Sequence, residues 1–272
     1  GTYLPYEFSG DLITIANQCF NQLKSEIQTK EFHFGLFREY VEDYPEIVIR
    51  ELLINAIAHR DYSRQQIIEI RKYPDYIEFE SPGGFPEGID KSNLLRKSNP
   101  RNPNIMDVLR EVNYAEKAGS GFDKIFTALL KYGKRLPEPI QTDSSVIVRV
   151  EADVYSELLL ELSIQFRKLK GHDMDLDTIL ILNAIYLNTK IKFSELIRVP
   201  FINEYQARRV LDILIELEFI ETTGKTSDLR YLIHKSKLKS TSDEKRYLKE
   251  KKQIKFKQIE TIFRYLDEFD EI

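Results

Sequence analysis

Glu51, Asn55 and His59 fall at i, i+4 and i+8 of a periodic segment over Pro45–Arg60, so a helix there lines up a carboxylate, a carboxamide and an imidazole along one stripe. Ile49, Leu52, Leu53, Ala56 and Ile57 occupy the broad apolar arc beside it. Oxygens of Glu and Asn suit a hard cation such as Mg²⁺, which takes few protein ligands and keeps waters and phosphates. A carboxylate next to a polarised water also serves as a general base. The same residue types at that spacing equally make the solvated side of an amphipathic helix, so both readings stand.

Two further runs carry chemistry. Ala118-Gly119-Ser120-Gly121-Phe122-Asp123-Lys124-Ile125 places glycines at the entry to a helix. Backbone N–H groups there can approach a phosphate, and the helix N-terminus adds roughly +0.5 charge. A G-x-G is also an ordinary turn into a helix. In Glu80-Ser81-Pro82-Gly83-Gly84-Phe85-Pro86 an acidic residue ends a strand before a tight turn. Its carboxylate either accepts a hydrogen bond from an exocyclic amine or is an exposed strand terminus.

The elements that must hold these residues are outlined by periodicity. Leu12, Ile13, Ile15, Ala16, Phe20, Leu23 and Ile27 predict an opening helix from Gly10 to about Lys30, with Ser9 as N-cap. Phe32, Phe34 and Leu36 alternate as in a half-buried strand. After the Pro45–Arg60 helix, residues 66–71 and 76–80 read as an antiparallel hairpin joined through Pro74-Asp75. Residues 82–104, rich in Pro and Gly, have the length of a lid or binding loop. Short helices at about 105–113 and 121–132 and a strand over Ser145–Val150 complete an α/β unit. A polar helical connector follows at about 153–170. Beyond Asp177 come three helices, the third over Glu204–Leu217, and strands at Phe219–Glu221 and Arg230–Ile233, the pattern of a winged helix. The expected divisions are 1–152, a connector at 153–175, a winged helix at 176–236 and a Lys-rich tail helix at 237–272, whose Ile259, Ile262, Phe263 and Leu266 suit a core, a dimer face or the start of a further domain.

The 272 residues suit about two domains. With 42% hydrophobic and 31% charged residues the chain is ordinary globular material, which excludes collagen-like, low-complexity and wholly disordered classes. Cys19 alone forms no intrachain disulfide, and no signal peptide or apolar run of membrane-spanning length is present, which fits a cytoplasmic protein without membrane attachment. The start at Gly1-Thr2 without Met and the amphipathic pattern running to Ile272 suggest a piece of a longer protein.

Taken in order, Glu51-x-x-x-Asn55-Ala56-x-x-His59-Arg60-Asp61-Tyr62-Ser63, Ser81-Pro82-Gly83-Gly84-Phe85-Pro86, Arg101-Asn102-Pro103 and Gly119-x-Gly121 resemble the histidine-kinase-like (GHKL, Bergerat-fold) ATPase domain. The resemblance covers about residues 1–150. It is to the form found in bacterial proteins labelled transcriptional regulators or ATP-dependent DNA helicase-related, where a Schlafen-like (AlbA-type) domain often precedes the unit and a winged helix often follows. It implies an α+β chain, a two-layer α/β sandwich and then a winged helix, with ATP and Mg²⁺ as cofactors. By that resemblance Glu51 polarises the attacking water, Asn55 ligates Mg²⁺, and Gly119 and Gly121 contact phosphates. Gly84 allows close approach of the nucleotide, and His59 and Glu80 lie along its site. Better-characterised ATPases of this fold carry Asp before Asn-Gly at the adenine-reading turn. Here Glu80-Ser81-Pro82 adds a methylene and removes a backbone donor.

In a helix-turn-helix the second paired helix enters the major groove, and here it presents Tyr205, Gln206, Arg208 and Arg209. Gln can pair adenine and Arg guanine, or Arg can hold a phosphate. Lys225 and Arg230 belong to the wing, and Gly224-Lys225-Thr226 is a wing tip rather than a P-loop, because Phe219 stands where that motif needs Gly. Across residues 171–240 ten Lys and Arg face ten Asp and Glu, so affinity for duplex DNA must rest on clustering. The leading expectation is a DNA-binding regulator that senses a nucleotide, working as a homodimer because half-site reading favours two-fold symmetry. An ATP-hydrolysing enzyme and a nucleotide-free interaction scaffold are the alternatives.

Overall fold

The computed structural model describes residues 5–89, 99–115, 121–154, 156–198, 202–225 and 228–238. They divide into two compact units. The first takes described residues within Gly1–Ile89, Lys97–Ile125 and Pro139–Ala152, and the second those within Phe126–Glu138 and Asp153–Ile272. Gly119 and the tail with its expected helix lie outside the described residues.

The first unit opens with α1 (Leu12–Ser25), capped by Asp11 rather than Ser9: Thr14 N donates to Asp11 Oδ1 at 3.0 Å. The expected single strand is a hairpin, β1 (Thr29–Phe34) with β2 (Phe37–Glu42), paired from Thr29↔Glu42 to Phe34↔Phe37. Next comes α2 (Glu46–His59), whose Val48, Ile49, Leu52, Leu53, Ile54, Ala56, Ile57 and Ala58 are all buried. The remaining elements are β3 (Glu69–Lys72), β4 (Tyr76–Pro82), α3 (Pro103–Glu111), α4 (Gly121–Lys131), β5 (Glu138–Gln141) and β6 (Ser145–Glu151). The sheet order is β3-β4-β6-β5, and β4 pairs antiparallel with both neighbours.

Alternation along β4 gives the sheet two unlike faces. Ile77 and Phe79 are buried at 1% and 2% exposure, and Ser81 on the same side donates its hydroxyl to Ala56 O of α2 at 2.8 Å. The opposite side carries Tyr76, Glu78 and Glu80. There Arg71 bonds Glu80 and Glu69, Arg149 holds Glu78 at 2.6 Å, and the Arg149 guanidinium lies 4.2 Å from the Tyr76 ring centre. The unit is thus a mixed α+β sandwich with one apolar and one ion-paired sheet face.

The second unit contains α5 (Glu157–Lys170), α6 (Leu176–Leu187), β7 (Ile191–Lys192), α7 (Phe193–Leu196), α8 (Glu204–Glu216), β8 (Ile220–Thr223) and β9 (Arg230–Ile233). The short β7 adds a third strand to the expected hairpin, in the order β7-β9-β8. The polar connector expected at 153–170 is instead a core helix: Leu159, Leu162 and Phe166 of α5 join Leu130, Ile181, Ile185, Leu211 and Phe219 in one apolar cluster. Its apolar residues are interleaved with Glu and Lys at close spacing, which hides the buried stripe. The same cluster draws residues 126–138 into this unit, where Ser156 N donates to Gly133 O at 3.2 Å and Lys134 bridges Val154. Among the described residues no helix is long and apolar enough to cross a membrane.

Candidate functional site

The C-terminal carbonyls of α2 have no intrahelical donors, and a segment some forty residues later supplies them. Asn102 Nδ2 donates to Ala58 O at 3.0 Å and Arg60 O at 2.7 Å, while Arg101 Nε donates to His59 O at 3.1 Å. Another arm of the Arg101 guanidinium donates to Gly84 O at 2.8 Å, and Nη1 lies 3.9 Å from Asp61 Oδ2. Hydrogen bonds from the Ser63 hydroxyl and then its backbone N–H hold the Asp61 carboxyl below the usual carboxylate range. Arg101 and Asn102 therefore lock the end of α2 to the turn after β4. That turn needs glycine at position 83, where φ is +101° and a Cβ would sit 2.8 Å from Asp61 Cβ.

One turn and two turns back along α2 from His59 lie Asn55 and Glu51. Glu51 is only 5% exposed, so it is not part of a solvated helix side. Arg50 Nη2 and Lys124 Nζ stand 3.7 and 3.6 Å from Glu51 Oε1. The N-terminus of α4 faces the same two residues: a Cβ on Gly121 would lie 3.2 Å from Glu51 Oε2 and 3.8–3.9 Å from the Asn55 carboxamide. Among the described residues, Asn55 Nδ2 is buried without a hydrogen-bond partner. The fold thus brings together Glu51, Asn55 and Gly121, which are separated by up to seventy positions in sequence. Lys124, one turn into α4, and Arg50 are additions that residue types and spacing do not single out; their only sequence signal is proximity to Gly121 and Glu51.

This donor set fits Mg²⁺ in one specific way. It offers a carboxylate and a carboxamide oxygen, the hard ligands this ion prefers, and no group of three or more His, Cys, Asp or Glu among the described residues could form a full protein cage. Phosphate and water would complete the coordination. Two neighbouring cations and a helix N-terminus favour an anionic ligand at the same place.

The remaining first-unit candidates are placed differently. His59 Nδ1 is buried without a partner among the described residues. Burial first, and the Arg101 charge second, push the imidazole down to about 4, so it is neutral at pH 7. Glu80 is already engaged: it accepts from Ser145 Oγ at 2.6 Å and from Arg71. Those two hydrogen bonds hold its carboxyl below the usual range. A base amine would have to displace them. A Cβ on Gly84 would meet the Gln141 side chain at 3.3 Å, and Gln141 Oε1 accepts from Phe85 N at 2.9 Å. The space left open by this glycine is thus taken by Gln141, and the sharp backbone approach falls at Gly83.

In the second unit, Gln206 is tied up by the start of α8: Gln206 N donates to Asn203 Oδ1 at 2.8 Å and Asn203 N to Gln206 Oε1 at 3.1 Å, a reciprocal cap. Arg208 holds Glu204 at 2.7 Å, and Arg209 lies 3.6 Å from Asp175. Tyr205 is 78% exposed. On the wing, Lys192 and Arg230 share Asp228 at 3.1 Å each, and Lys225 is exposed. The cations of α8 are balanced by its own and neighbouring carboxylates; on the wing Lys225 and Arg230 face Glu221 and Asp228, and Lys192 of β7 adds one cation beside them.

Comparison with known proteins adds two similarities. Residues 65–150 match the family described as "Putative ATP-dependent DNA helicase recG C-terminal", an ATPase-like family, in a segment that starts just after α2. The crystal structure of the DIP2311 protein from Corynebacterium diphtheriae superposes with a TM-score of 0.64 at 20% identity, over 82% of this chain and 46% of that one. No curated protein matches. The chain therefore spans about half the length of its structural neighbour and shares its fold, and its central segment is ATPase-like.

Proposed function

We propose that the first unit binds ATP with Mg²⁺ where α2 meets the N-terminus of α4. Asn55 and Glu51 lie on the metal side, and Lys124 and the backbone of α4 on the phosphate side. The observation that carries the reading is Gly121, which lets the start of a helix stand within van der Waals reach of a buried carboxylate and of the Asn55 carboxamide, whose Nδ2 has no hydrogen-bond partner among the described residues. The ATPase-like match over 65–150 supports it independently of that geometry. Bound Mg²⁺ would neutralise phosphate charge and polarise the terminal phosphoryl group. Glu51 would then accept the proton of a water that attacks that phosphoryl group. Calorimetric titration of the full chain with MgATP tests the reading: measurable Mg²⁺-dependent binding, weakened about tenfold or more in Asn55→Ala at unchanged melting temperature, is expected. No heat with the wild type overturns it.

A second reading, duplex DNA at the second unit, is favoured by its element order α6-β7-α7-α8-β8-β9 and by the cluster of Lys192, Lys225 and Arg230 on and beside the wing. This reading moves the phosphate contacts from α8 to Lys192, Lys225 and Arg230. Lys225→Ala with Arg230→Ala should then flatten the salt dependence of a mobility shift, by about one unit of slope per lost phosphate contact. An unchanged slope removes the wing from the interface.

A further inference from the structure

The outward side of α8 carries Tyr205, Arg208, Asp212 and Ile215, spaced by three, four and three residues. With 3.6 residues per turn they fall within roughly 80° of arc, the spacing of a helix–helix seam. Ala207, Val210, Leu211 and Leu214 face the core. The large apolar side chains that α8 leaves exposed are the two ends of this stripe, Tyr205 at 78% and Ile215 at 40%. Asp212, between them, is in no ion pair among the described residues; Arg208 pairs with Glu204 and lies over the Phe193 ring, and both charges act on the Tyr231 hydroxyl.

Turned about a two-fold axis level with residue 210, the stripe meets itself. Tyr205 of one copy lies opposite Ile215 of the other, and Arg208 opposite Asp212. Both pairs share one centre, so a single antiparallel register makes all four contacts, each charge meeting its opposite and each apolar residue an apolar one. Duplex phosphates would repel Asp212 and offer the two apolar ends nothing to pack against, whereas a second copy answers all four residues. We infer that α8 pairs antiparallel with α8 of a second copy of this chain through Tyr205, Arg208, Asp212 and Ile215. A one-helix seam buries less than the roughly 1,000 Å² of a stable interface, so the dimer is weak and concentration-dependent. The inference is independent of the nucleotide reading, and it leaves the wing free for DNA.

Sedimentation of the full chain over a concentration series tests it. The wild type should show a reversible monomer–dimer equilibrium. Arg208→Asp alone and Asp212→Arg alone should each raise the dissociation constant about tenfold or more by placing like charges opposite each other. The double variant should return it to near the wild-type value. Any cost of a new carboxylate beside Glu204 within one helix is present in monomer and dimer alike and cancels. A wild type that stays monomeric, a dimer indifferent to both single changes, or single changes that the double does not rescue would each overturn the assignment. A monomeric wild type whose DNA binding is lost in Arg208→Asp would give the stripe to DNA instead.

Discussion

Glu51 is 5% exposed, beside Arg50 and Lys124 and facing the start of α4, and as the general base of the proposed nucleotide reading it sets the first expectation. Glu51→Gln should lower ATP turnover by about a hundredfold or more while MgATP affinity stays within a few-fold, as measured by phosphate release and calorimetry. His59 supplies a pH signature. Its folded pKa, about 4, lies below the ordinary 6.5, so the unfolded chain takes up a proton that the folded one refuses. Stability is therefore full above pH 6.5 and falls as pH drops towards about 4, by up to ~3 kcal/mol from this residue. Urea unfolding across that window should show the loss, and His59→Gln should flatten it.

Among the elements, α2 depends most on chain remote from it. Asn102→Ala strips hydrogen bonds from Ala58 O and Arg60 O and should cost about 1–3 kcal/mol in denaturant unfolding. This clamp explains what sequence reading can and cannot recover. The stripe Glu51–Asn55–His59 is legible because helical spacing reports a face, and Gly121 because glycine before a helix has few uses. Arg101-Asn102-Pro103 stands out as a motif, yet its role is hidden, since the bonds run to main-chain carbonyls 42 and 44 positions away and leave no periodic trace. Strands β2, β5 and β7 escape for a related reason: short strands are fixed by their partners more than by their own residues. Glu80 reads as an available acceptor in the sequence because its partner Ser145 is brought alongside only by the register of β4 and β6.

For the whole molecule, two cores imply two unfolding events. Scanning calorimetry with saturating MgATP should shift one transition upward, the one that Asn102→Ala lowers; at about a hundred times Kd the gain is ~2.7 kcal/mol. Within the net charge of -4, Arg50 and Lys124 flank Glu51, and Lys192 and Arg230 share Asp228. The outer face of the four-stranded sheet is the clearest balanced region, tiled by Arg71, Arg149, Glu78 and Glu80. A second sheet could be stacked on it only by stripping water from the still exposed Arg71, Glu80 and Arg149, at a cost that well-aligned neutral strands would not impose. Its edges are guarded as well, β3 by Glu69, Arg71 and Lys72 and β5 by Pro139. In concentrated solution the first unit should therefore resist amyloid-like stacking, and the segment most open to misassembly is the separate β1–β2 hairpin, with Leu36 wholly exposed at its tip and Phe37 and Tyr40 beside it.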